Sequence, residues 1–218
     1  MRISVLVVLS VTALVFAASA CKRDGASDPP ASEQAPAGSD DGADGSEGSG
    51  EQPAEGRLLP SMPVPEDWAS VSVQTPNGAT VTLGVPGDWI EAKPPNDSTL
   101  AVRMAPSGPA VGTKATIVAT PFDGDRAALA EYMRTRLKSF ASIKSEGATR
   151  VGTIDSHELA ASWTTAVGNR ETVQLLVATG KEAIGITCEI APGQLDSLSG
   201  LCDEIFATLS MKGAKSLK

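Results

Sequence analysis

One histidine, one tyrosine and three cysteines are all that 218 residues contain of those types, and each shortage removes a class of function. A nucleophile–histidine device has only His157 to work with, and no G-x-S-x-G elbow occurs anywhere in the chain. His157 sits in Asp155-Ser156-His157-Glu158, which reads as a solvated turn between strands. A structural zinc site needs about four Cys/His ligands packed together. Beyond Cys21 the chain offers Cys188, Cys202 and His157 with no close pair, so no metal and no cofactor is expected. Aromatic residues make up only 4%. Trp68, Trp89 and Trp163 therefore read as core or edge fillers rather than as a ligand platform. Basic residues are outnumbered, 18 Lys and Arg against 26 Asp and Glu, which excludes a basic footprint for nucleic acid. No apolar run reaches the roughly 20 residues that span a bilayer.

The longest apolar run, Ile3 to Phe16, follows Arg2 and precedes Ala17-Ala18-Ser19-Ala20-Cys21. A charged start, a short apolar segment and small residues before a cut make a secretory signal peptide over residues 1–20. Ala18-Ser19-Ala20 fits ordinary signal cleavage. It also resembles a bacterial lipobox, with Ala18 where Leu is usual. Cys21 favours the second reading, because lipidation requires a sulfur nucleophile and ordinary cleavage does not. Two or more acyl chains on Cys21 would hold the protein stably at a membrane. Lys22 stands where an Asp signals inner-membrane retention in lipoproteins, so the outer membrane is favoured.

Residues 21–67 form the next unit. Lys22 to Asp67 carries 3 basic and 11 acidic residues, whereas residues 68–218 carry 14 and 15. The acidity thus belongs to this stretch and not to residues 68–218. Its "DGASDPPASEQAPAGSDDGADGSEGSGEQPAEG" has no aromatic, Leu, Ile or Val and cannot bury enough surface to offset its ordering entropy. A flexible chain of about 40 residues spans roughly 35 Å, which makes this a spacer. The Asp spacing of "SDDGADGSE" does not match an EF-hand loop.

Residues 68–218 read as one α+β domain. "VSVQT" and "ATVTLGV" are strands joined by Pro76-Asn77-Gly78, followed by "STLAVRMA" and "TKATIVAT". In "DRAALAEYMRTRLKSFA" the period changes to helical, with Leu129, Tyr132, Met133, Leu137 and Phe140 on one face and Asp123 or Asp125 as cap. Arg134 and Lys138 share the polar face with Glu131, while Arg136 falls in the apolar arc and must snorkel or find a carboxylate. "ATRVGTID", "HELAASWTTAV", "RETVQLLVAT" and "KEAIGITCEI" are four more strands, with Gly168-Asn169 and Gly180-Lys181 as hairpin turns. "QLDSLSGLCDEIFATL" closes the chain as an amphipathic helix. Tight turns between successive strands imply an antiparallel sheet with helices packed on it. "GPAVGTK" (108–114) is not a P-loop: its glycines are too close and it opens a strand, not a helix.

"VTLGVPGDWIEAKPPNDSTLAVRMAP", "TKATIVATPFDGDRAALAEYMRTRL" and "EAIGITCEIAPGQLDSLSGLCDEIFATL" succeed one another in an order that resembles the PsbP/Mog-type fold, as in DcrB-like and LpqN-like bacterial lipoproteins. The resemblance covers about residues 70–211. It implies an α/β/α sandwich around an antiparallel sheet and a non-catalytic binding or assembly role, with no transferable site residue.

Cysteine arithmetic adds one further expectation. With Cys21 lipidated, Cys188 and Cys202 remain. Cys188 alternates with Ile184, Ile186 and Ile190 on one strand face. Cys202 lies in the helix stripe of Leu198, Ile205, Phe206 and Leu209. Both point to the core between helix and sheet, so they should form a disulfide in an oxidising compartment; the alternative is two buried, reduced thiols. The expected protein is a non-enzymatic lipoprotein of the bacterial cell envelope, its domain in the periplasm or at the cell surface, binding a protein partner. The alternative is a carrier of a small apolar or lipid ligand in a cleft between sheet and helix.

Overall fold

A computed structural model describes residues 56–165, 168–191 and 193–218. The Cys21 site and the whole signal peptide expected over residues 1–20 lie outside those residues.

The elements run β1 (Arg57–Leu59), β2 (Trp68–Gln74), β3 (Thr80–Pro86), β4 (Ile90–Glu91), β5 (Thr99–Met104), β6 (Lys114–Pro121), α1 (Arg126–Leu137), β7 (Ser142–Val151), β8 (Ile154–Thr165), β9 (Gly168–Ala178), β10 (Glu182–Ile190), α2 (Leu195–Ala207) and β11 (Ser210–Lys212). Eight strands form one sheet in the order β1-β7-β8-β9-β10-β6-β5-β4, antiparallel except where β1 joins β7. The β2–β3 hairpin does not join it. With β11 it makes a second sheet in the order β11-β3-β2. The single sheet expected from the turns is thus two, because local hairpin signals fix which strands are neighbours and not which sheet they enter.

Alternation along the strands decides where each helix sits. Ile184, Ile186, Cys188 and Ile190 of β10 share one face with Val173, Leu175 and Val177 of β9. They meet Cys202, Ile205 and Phe206 of α2 and Val81, Leu83 and Val85 of β3 in one large core. The other face carries Leu176, Ala178 and Ala183 under Leu129 and Met133 of α1, and Leu159 and Ala161 under Leu137. α1 starts where Asp125 accepts a hydrogen bond from the Ala128 N–H at 2.8 Å, which satisfies one unpaired donor of the first turn. It stops at Leu137, so Phe140 lies past its end and stands exposed rather than on the apolar face. α2 ends at Thr208, whose Oγ1 donates to the Ile205 carbonyl at 2.6 Å and accepts from the Gly84 N–H at 2.7 Å. A Cβ on Gly84 would lie 3.1 Å from side-chain atoms of Thr208 and of Val64, so glycine lets strand and helix end approach without displacing either side chain.

Several boundaries differ from those expected. β1 lies inside the 21–67 stretch read as tether, and three residues are too few to show an alternation. β7 starts six residues before Ala148, because "SIKSEG" is polar and mostly exposed and carries no apolar period. The β7–β8 turn is Gly152-Thr153, between the paired Val151 and Ile154, with Gly152 at φ 57°. β9 begins at Gly168, so Gly168-Asn169 is the start of a strand and not the turn itself.

Candidate functional site

Strand alternation disassembles the one string of residues that looks like chemistry. Asp155, Ser156, His157 and Glu158 all lie in β8, not in a solvated turn, and His157 is only 9% exposed. Neighbours on a strand face opposite ways. His157 shares the α1 side with Leu159. Ser156 donates instead to the Thr149 carbonyl at 2.9 Å. Asp155 accepts from Arg150 Nε at 2.8 Å. Glu158 turns to the α2 side, where Arg57 bridges it at 2.8 Å and also reaches Asp203 of α2. Among the described residues no hydroxyl is hydrogen-bonded to the imidazole Nε2, and the other three side chains serve separate structural contacts.

Beneath α1, His157 Nε2 lies 3.6 Å from Glu146 Oε2, too far for a hydrogen bond, and this buried nitrogen has no other partner. Arg134 Nε donates to Glu146 Oε1 at 2.9 Å, and its Nη1 pairs with Glu131. Burial pushes the His157 pKa below its ordinary value, outweighing the nearby Glu146 carboxylate. The Arg134 hydrogen bond holds Glu146 below the usual carboxylate range. Arg136 finds a phenol rather than a carboxylate: its Nη1 donates to Tyr132 Oη at 3.0 Å, and the guanidinium lies 5.6 Å from the ring centre.

Two buried carboxylates escape a reading of the sequence. Glu182, 1% exposed, accepts from Thr75 Oγ1 at 2.6 Å and Asn77 Nδ2 at 3.1 Å. It ties the β2–β3 turn to β10. Glu189 lies 3.5 Å from Lys114 Nζ and 3.6 Å from Arg170 Nη1. Its partners come from β6 and β9, so only the strand order could have found it. Among the described residues no group of three or more His, Cys, Asp or Glu could hold a metal ion, and no helix is long and apolar enough to cross a membrane.

Cys188 and Cys202 are joined in a disulfide, with Cα atoms 5.8 Å apart. Trp89 is buried, its backbone N–H on the Pro86 carbonyl at 3.0 Å. Trp68 is half-buried against the large core, and Trp163 is half-buried opposite Arg170. The three do not make a platform: Trp68 and Trp163 belong to different sheets. Gly108 and Gly112 shape the β5–β6 hairpin loop at φ 77° and 83°. A groove of about 420 Å³ opens between the two sheets, walled by Ser70–Val73 of β2 and Leu100–Arg103 of β5, and a smaller pocket of about 270 Å³ lies between Thr153–Asp155 and Ala214–Ser216.

No protein-family model and no curated protein matches the sequence. Solved structures do match. Cyanobacterial PsbP (CyanoP) from Synechocystis sp. PCC 6803 superposes with a TM-score of 0.50 at 12% identity, over 67% of this chain and 93% of that one. The fold is PsbP-like. LpqN of Mycobacterium tuberculosis, described as involved in cell envelope biogenesis, gives a TM-score of 0.49 at 15% identity over 66% of this chain and 91% of its own. The Saccharomyces cerevisiae Ran-binding protein Mog1p gives 0.41 at 12% identity, over 65% and 87%. A PsbP-like fold agrees with the α+β, antiparallel-dominated architecture inferred from the sequence. It transfers no site, because function resides in the residues placed on a fold.

Proposed function

We propose that this chain is a non-catalytic binding or assembly domain of the bacterial envelope, held at a membrane by lipid on Cys21, and that its ligand is a protein. The observation that carries the reading is how β8 uses its polar residues. Asp155, Ser156 and Glu158 are each committed to a hydrogen bond or ion pair with another strand, and His157 is buried beneath α1 with its Nε2 unpartnered. Among the described residues no nucleophile is hydrogen-bonded to the Nε2 of His157, so the parts of an acid–base device are present in the string and separated in space. The alternative, a carrier of an apolar ligand, draws no support from the space between α2 and the sheet. Cys202, Ile205 and Phe206 fill it with no exposed surface.

The lipid part of the reading rests on the Val15–Gly25 stretch. Its test is mass spectrometry of the mature N-terminus, with an acylated Cys21 expected. An unmodified Cys21, or any other first residue, overturns it. Cross-linking in intact envelopes followed by affinity capture tests the protein ligand. A discrete partner is expected. Extracted lipid without protein, or hydrolase activity lost in His157→Ala, overturns the reading.

A further inference from the structure

Four strands end the two sheets: β1 and β4 the large one, β2 and β11 the small one. An open strand edge is a template for pairing with another chain, and proteins shorten, charge or cover such edges. β1, β4 and β11 are only two or three residues long. β2 has 7 residues, with no charge and no proline.

The pairing of β2 with β3 tells which of its backbone groups are free. Ser72 and Thr82 are register partners whose hydroxyls lie 2.9 Å apart. Opposed side chains come closest at non-hydrogen-bonded sites, where both residues aim N–H and C=O away from the partner strand. The turn gives the same parity. Thr75 N–H donates to the Ala79 carbonyl, which puts Thr75, Val73 and Val71 in the set bonded to β3. Gly84, the partner of Ser70, sends its N–H away from β2 to Thr208. Ser70 and Ser72 therefore turn two N–H and two C=O groups outward, and none has a partner among the described residues. They open into the 420 Å³ groove, whose far wall is Leu100–Arg103. Arg103 is largely buried in that wall, and its one carboxylate partner, Glu91 at 2.8 Å, is 76% exposed.

We infer that this groove binds an extended segment of a partner protein as an added antiparallel strand on β2. This rests on the protein-binding role proposed above and names its site and ligand chemistry. In the antiparallel sense one residue of the segment exchanges two hydrogen bonds with Ser70 and another does so with Ser72. The residue between them lies over Val71 and faces Leu100 and Ala101, which suits Val or Ile. Hydroxyl side chains suit the positions opposite Ser70 and Ser72. An acidic side chain at one end takes the place of Glu91 on Arg103.

The test probes the purified protein with an array of synthetic seven-residue peptides that alternate Ser or Thr with Val or Ile, each made with and without Glu at one end. The tightest peptide is expected to slow amide exchange of Ser70 and Ser72 at least about tenfold, leaving Val71 and Val73 unchanged because they are already bonded to β3. Ser72→Pro removes an outward N–H and no bond to β3, a position where an edge strand tolerates proline; it is expected to weaken the peptide at least about tenfold. N-methylating alternate amides of the peptide makes the same test without altering the protein, and should abolish binding at one parity only. Arg103→Ala should weaken only the Glu-containing peptides. The inference is overturned if no peptide binds at about 1 mM, if binding survives both Ser72→Pro and methylation at both parities, or if protection appears at another strand. In envelope cross-linking, a Ser72→Pro protein that captures the wild-type partner undiminished removes this site and leaves the binding role standing. Wild-type protein that captures none removes both.

Discussion

The two helices pack on opposite faces of the same sheet by different means. α2 adds Cys202, Ile205 and Phe206 to a core that also takes in β3, β9 and β10, and a disulfide fastens it to β10. α1 rests on two small separate clusters, one around Leu129 and Met133 and one around Leu137. At its rim sit Arg134, Glu146 and a buried neutral histidine. Both faces carry ion pairs at their edges, Arg57 with Glu158 and Asp203 on the α2 side and Arg134 with Glu146 and Glu131 on the α1 side. The α2 face adds continuous apolar packing and a covalent link, and the α1 face instead covers the buried His157. The α2 side should therefore be the more stable to acid and the α1 side the first to loosen.

The largest effect should come from Phe206→Ala, about 3–5 kcal/mol by urea unfolding, since a fully buried aromatic leaves both lost transfer energy and a cavity. Met133→Ala under α1 should cost nearer 2 kcal/mol, the low end for such a truncation. Equal losses would erase the contrast between the faces. Next, replacing Cys188 and Cys202 together by Ala should cost about 3 kcal/mol in the chain-entropy model, with the α1 amides keeping their relative exchange protection. Loss of protection in α1 first would show that the faces are not independent.

Acid sharpens the comparison further. The folded-state pKa of His157 is depressed, so the native state binds a proton less readily than the unfolded chain. Stability should be constant above the unfolded value of about 6.5 and decline as pH falls through and below it. Glu146, also depressed, should add a second decline below about 4.5 as its pairing with Arg134 is lost. His157→Gln should flatten the first decline in a series of unfolding curves and leave the second. An unchanged slope would place the pH sensitivity elsewhere. The smallest effect belongs to Arg134→Ala: its ion pairs are partly exposed, so the loss should stay below about 1 kcal/mol.

How much of the fold is legible in the sequence depends on the range over which each signal acts. The capped α1 start at Asp125, the amphipathic α2 and the strand faces that bring Cys188 to Cys202 are set by residues a few positions apart, and all are readable. β1 and β11 are not, since three residues carry no period and their partners lie about 90 and 130 residues away. His157 is misplaced for a similar reason. Gly152-Thr153 is a weaker turn signal than the polar run Asp155-Ser156-His157-Glu158, and only the pairing of Val151 with Ile154 decides between them. The β2 edge is invisible, because which strand lacks a neighbour is a property of strand order and no single strand records it.

The three residues of β1 also decide how the domain would respond to a mechanical load. Any tension transmitted along the chain from before Gly56 reaches Arg57–Leu59, which lies parallel to β7. Tension along the strand axis would load the β1–β7 hydrogen bonds together in shear, instead of opening them one at a time. The Arg57 guanidinium grips Glu158 on β8 and Asp203 on α2, so the same tension passes directly into β8 and into the helix that the disulfide anchors. β1 is thus fastened to β8 and to the disulfide-linked helix, and the β2 groove, whose far wall is β5 at the other end of the sheet order, lies off that line of force.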